Sequence, residues 1–155
     1  MNTDYIQHLE MIQKVVKRLA NNSFTYKGWS ITLISALLVL SATDMQPSFA
    51  LVGLLPAICF WWLDAYYLRQ ERLYRRLFDE VRDRGLAPGA PPTDFSMKTK
   101  APAPTEANAS EYSLFGAAFS KTIAWLHIPL LLAVIVVAVL VWMIGPPPAS
   151  LAARN

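Results

Sequence analysis

Residues 122–144 contain no aspartate, glutamate, lysine or arginine, and the run LLLAVIVVAVLVWMI within them is unbroken. About 20 apolar residues in a helix cross the ~30 Å hydrocarbon core of a bilayer, so this segment dictates a lipid environment. Gly145 and the prolines Pro146, Pro147 and Pro148 stop the helix, because proline lacks the backbone donor and clashes with the preceding turn. Two further segments qualify as spans. One covers residues 49–68, with Pro56 as a kink and Asp64 near its end; the other covers 28–42, carries Ser30, Thr32, Ser35 and Ser41, and is completed by residues back to Phe24. The six residues TDMQPS, 43–48, can join only antiparallel neighbours, so 24–68 reads as a two-span hairpin. Only 16% of the chain is charged, against roughly a quarter in soluble domains. The deficit lies in these segments.

Basic residues fix the expected orientation. Lys14, Lys17, Arg18 and Lys27 precede the first span, and Arg69, Arg72, Arg75, Arg76, Arg82, Arg84, Lys98, Lys100 and Lys121 lie between the second and third, leaving only Arg154 of the 14 elsewhere. With three spans those regions share one side, which the positive-inside rule makes cytoplasmic; the C-terminal tail, 145–155, is then periplasmic. Trp29, Trp61, Trp62, Tyr66, Tyr67 and Trp125 gather at the same level, as amphipathic rings do at an interface. No cleavable signal peptide is expected, since residues 1–22 hold Asp4, Glu10, Lys14, Lys17 and Arg18 and lack an apolar core.

Residues 1–22 read as an amphipathic cytoplasmic helix. Tyr5, Leu9, Ile12, Val16 and Leu19 form a seam spaced 4, 3, 4 and 3, with His8 facing away from it. The second span continues as a cytoplasmic helix over 69–85. Leu73, Tyr74, Leu77, Phe78 and Val81 share one face, the pairs Glu71–Arg75, Arg75–Asp79 and Arg76–Glu80 stand four apart, and Gly85 is placed just past the helix end. The two apolar faces can pair in a small bundle. Residues 86–109, rich in proline, read as a linker in which DFSMKTK (94–100) offers Phe95 and Met97 as a docking clip. Ser110 caps an interfacial helix over 110–121 that leads into the third span, 122–144.

No catalytic constellation is present. His8 and His127 sit on different helices, the single cysteine Cys59 reads as a packing residue, and no metal-ligand cluster or nucleotide loop occurs. The chain therefore reads as a non-enzyme without cofactor or metal. His127 is expected at the interface near Pro129, with a proton relay as its other reading. Asp64 has two readings: paired with Lys27 or Arg69 at headgroup depth, or lining the inner mouth of a cation-selective pore. Thr25, Gly28, Thr32 and Ser35, spaced 3, 4 and 3, share one face of the first span. That face suits close helix packing or a pore lining, and three spans are too few to enclose a pore without further copies around an axis. Lys14, Lys17, Arg18, Arg69, Arg72, Arg75 and Arg76 form the candidate site for lipid headgroups or for nucleic-acid phosphate, by charge and position.

The stretches NNSFTYKGWSITLISALL and FWWLDAYYLRQERLYRRLFDEV, and more loosely DFSMKTK and the third span, resemble the small membrane effectors of bacterial antiphage defence, Hailong-type effectors among them. The resemblance covers roughly residues 21–81. It implies a homotetrameric ion channel of the inner membrane, held closed by single-stranded DNA oligomers made by a nucleotidyltransferase-like partner enzyme. Loss of the oligomers opens the pore, depolarises the membrane and arrests growth. The expectation is thus an all-α, integral membrane, homo-oligomeric channel with three transmembrane helices, gated through its cytoplasmic helices. The alternative is a non-conducting anchor that recruits a soluble partner through the same helices.

Overall fold

The computed structural model describes residues 3–103 and 109–144. The expectations for the 145–155 tail, its prolines and Arg154, and for residues 104–108 of the linker, lie outside the described residues. The regular structure of the described residues is all helical, and three helices are long and apolar enough to cross a membrane. The protein is a multi-pass membrane protein. No more than 28% of any spanning window is buried within the chain, and Leu55, Leu132, Val136, Val139, Trp142 and Met143 point outward. Such a continuous apolar belt needs lipid or further protein around it.

The first helix, α1 (Thr3–Asp44), is a single helix of 42 residues, about 63 Å long at 1.5 Å per residue. The division into a cytoplasmic helix over 1–22 and a separate span is therefore corrected. Asn21, Asn22 and Ser23 are weak helix formers, but no proline interrupts them, Thr25 bonds back to the Asn21 carbonyl at 3.0 Å, and Ser23 is drawn into a tertiary hydrogen bond. Tertiary packing carries the helix across a stretch of poor propensity.

The hairpin turn is tight. Met45 adopts a left-handed φ of 53°, the Gln46 amide donates to the Ser41 carbonyl at 3.2 Å, and Pro47 opens the short helix α2 (Pro47–Val52). The long helix α3 (Leu54–Leu86) follows after Gly53. The effect of Pro56 appears as a tightened turn upstream. Pro56 cannot donate to the Val52 carbonyl, and its ring crowds that carbonyl; Gly53 stays right-handed helical, its amide shared between the Phe49 carbonyl at 3.2 Å and the Ala50 carbonyl at 3.0 Å. From Leu54 onward α3 runs without interruption from the span into the charged segment.

Residues 109–144 form a 3-10 turn, Ala109–Tyr112, a short helix α4 (Leu114–Ala118) and the third spanning helix α5 (Lys121–Ile144). The cap of α4 is Ser113, whose Oγ accepts from the Gly116 amide at 2.9 Å and donates to the Ser110 carbonyl at 2.7 Å. The capping role expected of Ser110 is corrected accordingly. A side chain at Gly116 would collide with that carbonyl, so the turn requires glycine.

Three packed layers follow along the bundle. At the far end Ile34, Ala57 and Val134 meet, joining all three spans. In the middle Ala65, Ala117, Ala118 and Ile123 pack with Trp61 and Leu68. At the basic end the seam of α1 meets α3, with Tyr5 and Ile12 against Leu77 and Val81, and Leu9, Val16, Tyr74 and Phe78 around them. Gly85 lies within α3 rather than past its end, for a packing reason. An added Cβ would sit 2.7 Å from Tyr5 Cδ1. The tyrosine side chain packs directly against the bare helix backbone.

His8 does not face solvent, as the seam reading has it; it is 1% exposed. It stands three residues after Tyr5 and four before Ile12, at the edge of the seam. Its Nε2 donates to the Ser96 carbonyl at 3.1 Å, its Nδ1 lies 2.8 Å from Thr93 Oγ1, and its ring tilts against Phe95. The Tyr5 hydroxyl donates to the Pro91 carbonyl at 2.7 Å. The proline-rich segment is thereby strapped across the basic end, with Met97 packed against the core there and Phe95 at φ 50°.

Gly85→Ala should lower the thermal midpoint of the purified protein in detergent, with an overpacking cost of about 1–3 kcal/mol. Combining it with Tyr5→Leu should recover part of the loss, measured by circular dichroism. Equal midpoints for wild type and Gly85→Ala would remove the close approach as a constraint.

Candidate functional site

A helix that buries a carboxylate in lipid must bring donors to it. Asp64 of α3 is 1% exposed. Its Oδ1 accepts from Ser23 Oγ at 2.5 Å and from Lys27 Nζ at 2.6 Å, both on α1, and Lys27 Nζ also donates to Ser23 Oγ at 2.6 Å. Its Oδ2 accepts from His127 Nε2 of α5 at 3.3 Å. Three helices are thus tied at one carboxylate. An ionised carboxylate donates nothing, so Nε2 of His127 carries the proton. The Trp61 ring stacks on His127 at an interplanar angle of 2°, and its indole donates to the Ala118 carbonyl at 2.9 Å. The network gives the buried carboxylate and the partly exposed Lys27 ammonium further hydrogen bonds, which help offset the desolvation of Asp64.

This geometry decides between the alternatives for Asp64. Its cation is Lys27. Arg69 turns away and donates to the Tyr112 carbonyl at 2.8 Å. The carboxylate lies inside the bundle, so its placement as a pore-lining residue beside Thr25, Gly28, Thr32 and Ser35 is corrected. Ser23 and the partly exposed Lys27 occupy the inward face of α1, where Ser23, Ser30, Ile34 and Ser41 are buried. His127 likewise is buried within the bundle, 1% exposed. Cys59 is exposed on the surface of the chain instead of packed inside it.

Thr25, Gly28, Thr32 and Ser35 do share one face, and all four are exposed. Thr32 donates to the Gly28 carbonyl at 3.0 Å, as Thr25 does to Asn21. Among the described residues, nothing beyond the helix's own backbone and adjacent residues lies within 4 Å of a Cβ built on Gly28. Because α1 is unbroken, the same face continues through Asn21, Arg18 and Lys14, all exposed.

The seven candidate phosphate ligands divide into two groups. On α3, Arg69 and Arg72 donate to the carbonyls of Tyr112 and Glu111, Arg75 pairs with Glu71 at 2.5 Å, and Arg76 pairs with Glu80 at 3.0 Å while lying 5.9 Å from the Tyr112 ring centre. These arginines dock the turn before α4 and brace their own helix. Lys14, Lys17 and Arg18 of α1 are exposed, and among the described residues none of them has an ion pair. Lys17 and Arg75 meet at a groove of about 620 Å³ whose floor includes Val16, Ala20 and Phe78. No group of three or more histidine, cysteine or carboxylate side chains is placed to hold a metal among the described residues.

Sequence reasoning missed Ser23 and His127 as partners of Asp64, and Trp61 as the ring stacked on His127. The available signal was a second set of α1 residues, Ser23, Lys27, Ser30 and Ile34, spaced 4, 3 and 4. It faces opposite the hydroxyl stripe.

Asp64→Ala leaves Lys27 without its counter-ion and should destabilise the protein by about 3–5 kcal/mol. The double variant Asp64→Leu/Lys27→Met, which removes both charges, should unfold at a higher temperature than Asp64→Ala. Equal midpoints for the two in a detergent melt would show that the pair is not what holds the helices. The sequence matches no protein-family model, and neither a curated protein nor a solved structure shows significant similarity to it.

Proposed function

We propose that the protein is a homo-oligomeric ion channel of a bacterial inner membrane, acting as an effector of antiphage defence. The observation that carries this reading is the exposed polar face of α1, from Thr25 to Ser35, on a helix otherwise apolar enough to span lipid. Hydroxyls and a bare glycine facing acyl chains gain nothing, whereas around a shared axis they can meet water and ions. Closed cyclic symmetry brings the same face of every copy to that axis. The accumulation of basic residues at one end supports a cytoplasmic N-terminus.

The gate is assigned to the basic end. A polyanion such as a single-stranded DNA oligomer, supplied by a nucleotidyltransferase-like partner enzyme, bridges Lys14, Lys17 and Arg18 of neighbouring copies and holds the pore closed. The resemblance of residues 21–81 to Hailong-type effectors supports this choice of ligand and sign. Binding can close the pore only by favouring one arrangement of the α1 helices over another. Opening depolarises the membrane and stops growth. A second reading, a non-conducting anchor, draws on the apolar floor of the groove between α1 and α3, which suits a partner helix. Crosslinking that stops at a monomer or dimer favours that anchor.

The direct test is single-channel recording of the purified protein in planar bilayers. Cys59 is the only cysteine, so Cys59→Ser gives a clean background. Cysteines introduced at Thr32 and Ser35 should react with a charged thiol reagent and block current, whereas one at Leu33, off the face, should not. Absence of unitary currents under all ligand conditions would remove the channel reading. For the ligand, Lys14→Glu with Arg18→Glu should weaken oligonucleotide binding and lower its salt slope by about 0.7 for each phosphate that is no longer neutralised. Unchanged binding would place the ligand site elsewhere.

A further inference from the structure

We infer that the ions passed are anions. This rests on the channel reading above and adds the substrate class. Lys14, Arg18, Asn21, Thr25, Gly28, Thr32 and Ser35 follow one another at spacings of 4, 3, 4, 3, 4 and 3 along one uninterrupted helix, and every one is exposed. Whatever face of α1 is turned to the axis by its hydroxyls is therefore turned there by its charges as well. A break between residues 22 and 24 would have let the basic segment rotate independently, and no break exists.

The charges on this face have a net sign. Lys14 and Arg18 lie on it and Lys17 flanks it, all exposed; the carboxylate on the same side of α1 is Glu10, also exposed, one turn further from the membrane. Across the groove from Lys17 stand Arg75, paired with Glu71, and Asp79, whose charge is engaged by Arg82 at 2.9 Å. From Lys14 to Ser35 the face carries no carboxylate. Asp64, the candidate cation selector, is enclosed on the opposite side of α1 and neutralised by Lys27. Thr25 and Thr32 spend their protons on backbone carbonyls, so the neutral stretch discriminates weakly by sign. Selection falls to the basic ring at its mouth.

Magnitude supports this assignment. Seven residues separate Arg18 from Thr25, about 10 Å along the helix. The screening length is about 8 Å at physiological ionic strength, so the ring's field reaches the first hydroxyls and fades as salt rises. Each added copy contributes the same net charge to a confined, partly desolvated volume, where a field concentrates ions of opposite sign.

The test uses the full chain in planar bilayers without oligonucleotide, under a potassium chloride gradient. Current should reverse on the chloride side of zero, with chloride favoured several-fold over potassium, and the preference should shrink as both salt concentrations rise. Replacing chloride by gluconate should cut the current. Lys14→Gln with Arg18→Gln should move reversal toward zero, Lys14→Glu with Arg18→Glu should carry it to the potassium side, and Glu10→Gln should strengthen chloride preference. Reversal on the potassium side in the wild-type protein overturns anion selection and leaves the channel standing. Silence under every condition overturns both.

Discussion

The structure depends on a carboxylate that cannot stay alone inside a helix bundle. An isolated charge taken out of water costs several kcal/mol, and Asp64 avoids the penalty only while Ser23, Lys27 and His127 hold their donors on it. Those donors come from α1 and α5, so the requirement of one side chain fixes the relative height and rotation of three helices. Apolar packing alone would specify less. The layer around Ile34, Ala57 and Val134 tolerates sliding, because lipid chains solvate a displaced leucine as well as a neighbouring helix does. A polar cluster with one productive geometry supplies the register.

Charge elsewhere is used in a contrasting way. The arginines of α3 reach backbone carbonyls and carboxylates of their own chain. They secure the turn that feeds α5 and stiffen the exposed half of α3. Lys14, Lys17 and Arg18 of α1 have no such employment among the described residues, although both sets read alike in composition. Proximity to internal acceptors separates structural cations from available ones.

That distinction marks the limit of what the sequence makes legible. The three spans, the hairpin and the paired seams follow from local composition and period, and the helices that realise them are present. Lys27 as a partner of Asp64 was also open to inference, since each is an ionisable group stranded near a span. Three features were not legible. The continuity of α1 across Asn21, Asn22 and Ser23 depends on tertiary bonds that propensity does not encode. The burial of His8 depends on a strap more than 80 residues away in sequence, as its bonds to Thr93 and Ser96 show. The two opposite polar faces of α1 can be read from spacing, but which of them turns inward depends on where Asp64 of α3 sits, and no spacing rule supplies that.

The place of the clasp along α1 has a mechanical consequence. Ser23 and Lys27 lie near the middle of a helix that runs from Thr3 to Asp44. Apolar layers hold it on either side of the clasp; when they slip, the rod tilts about that point as a see-saw does, and sideways displacement of one tip is answered by displacement of the other in the opposite sense. The wet tip and the tip across the bilayer are thereby geared together, with the aspartate as their fulcrum.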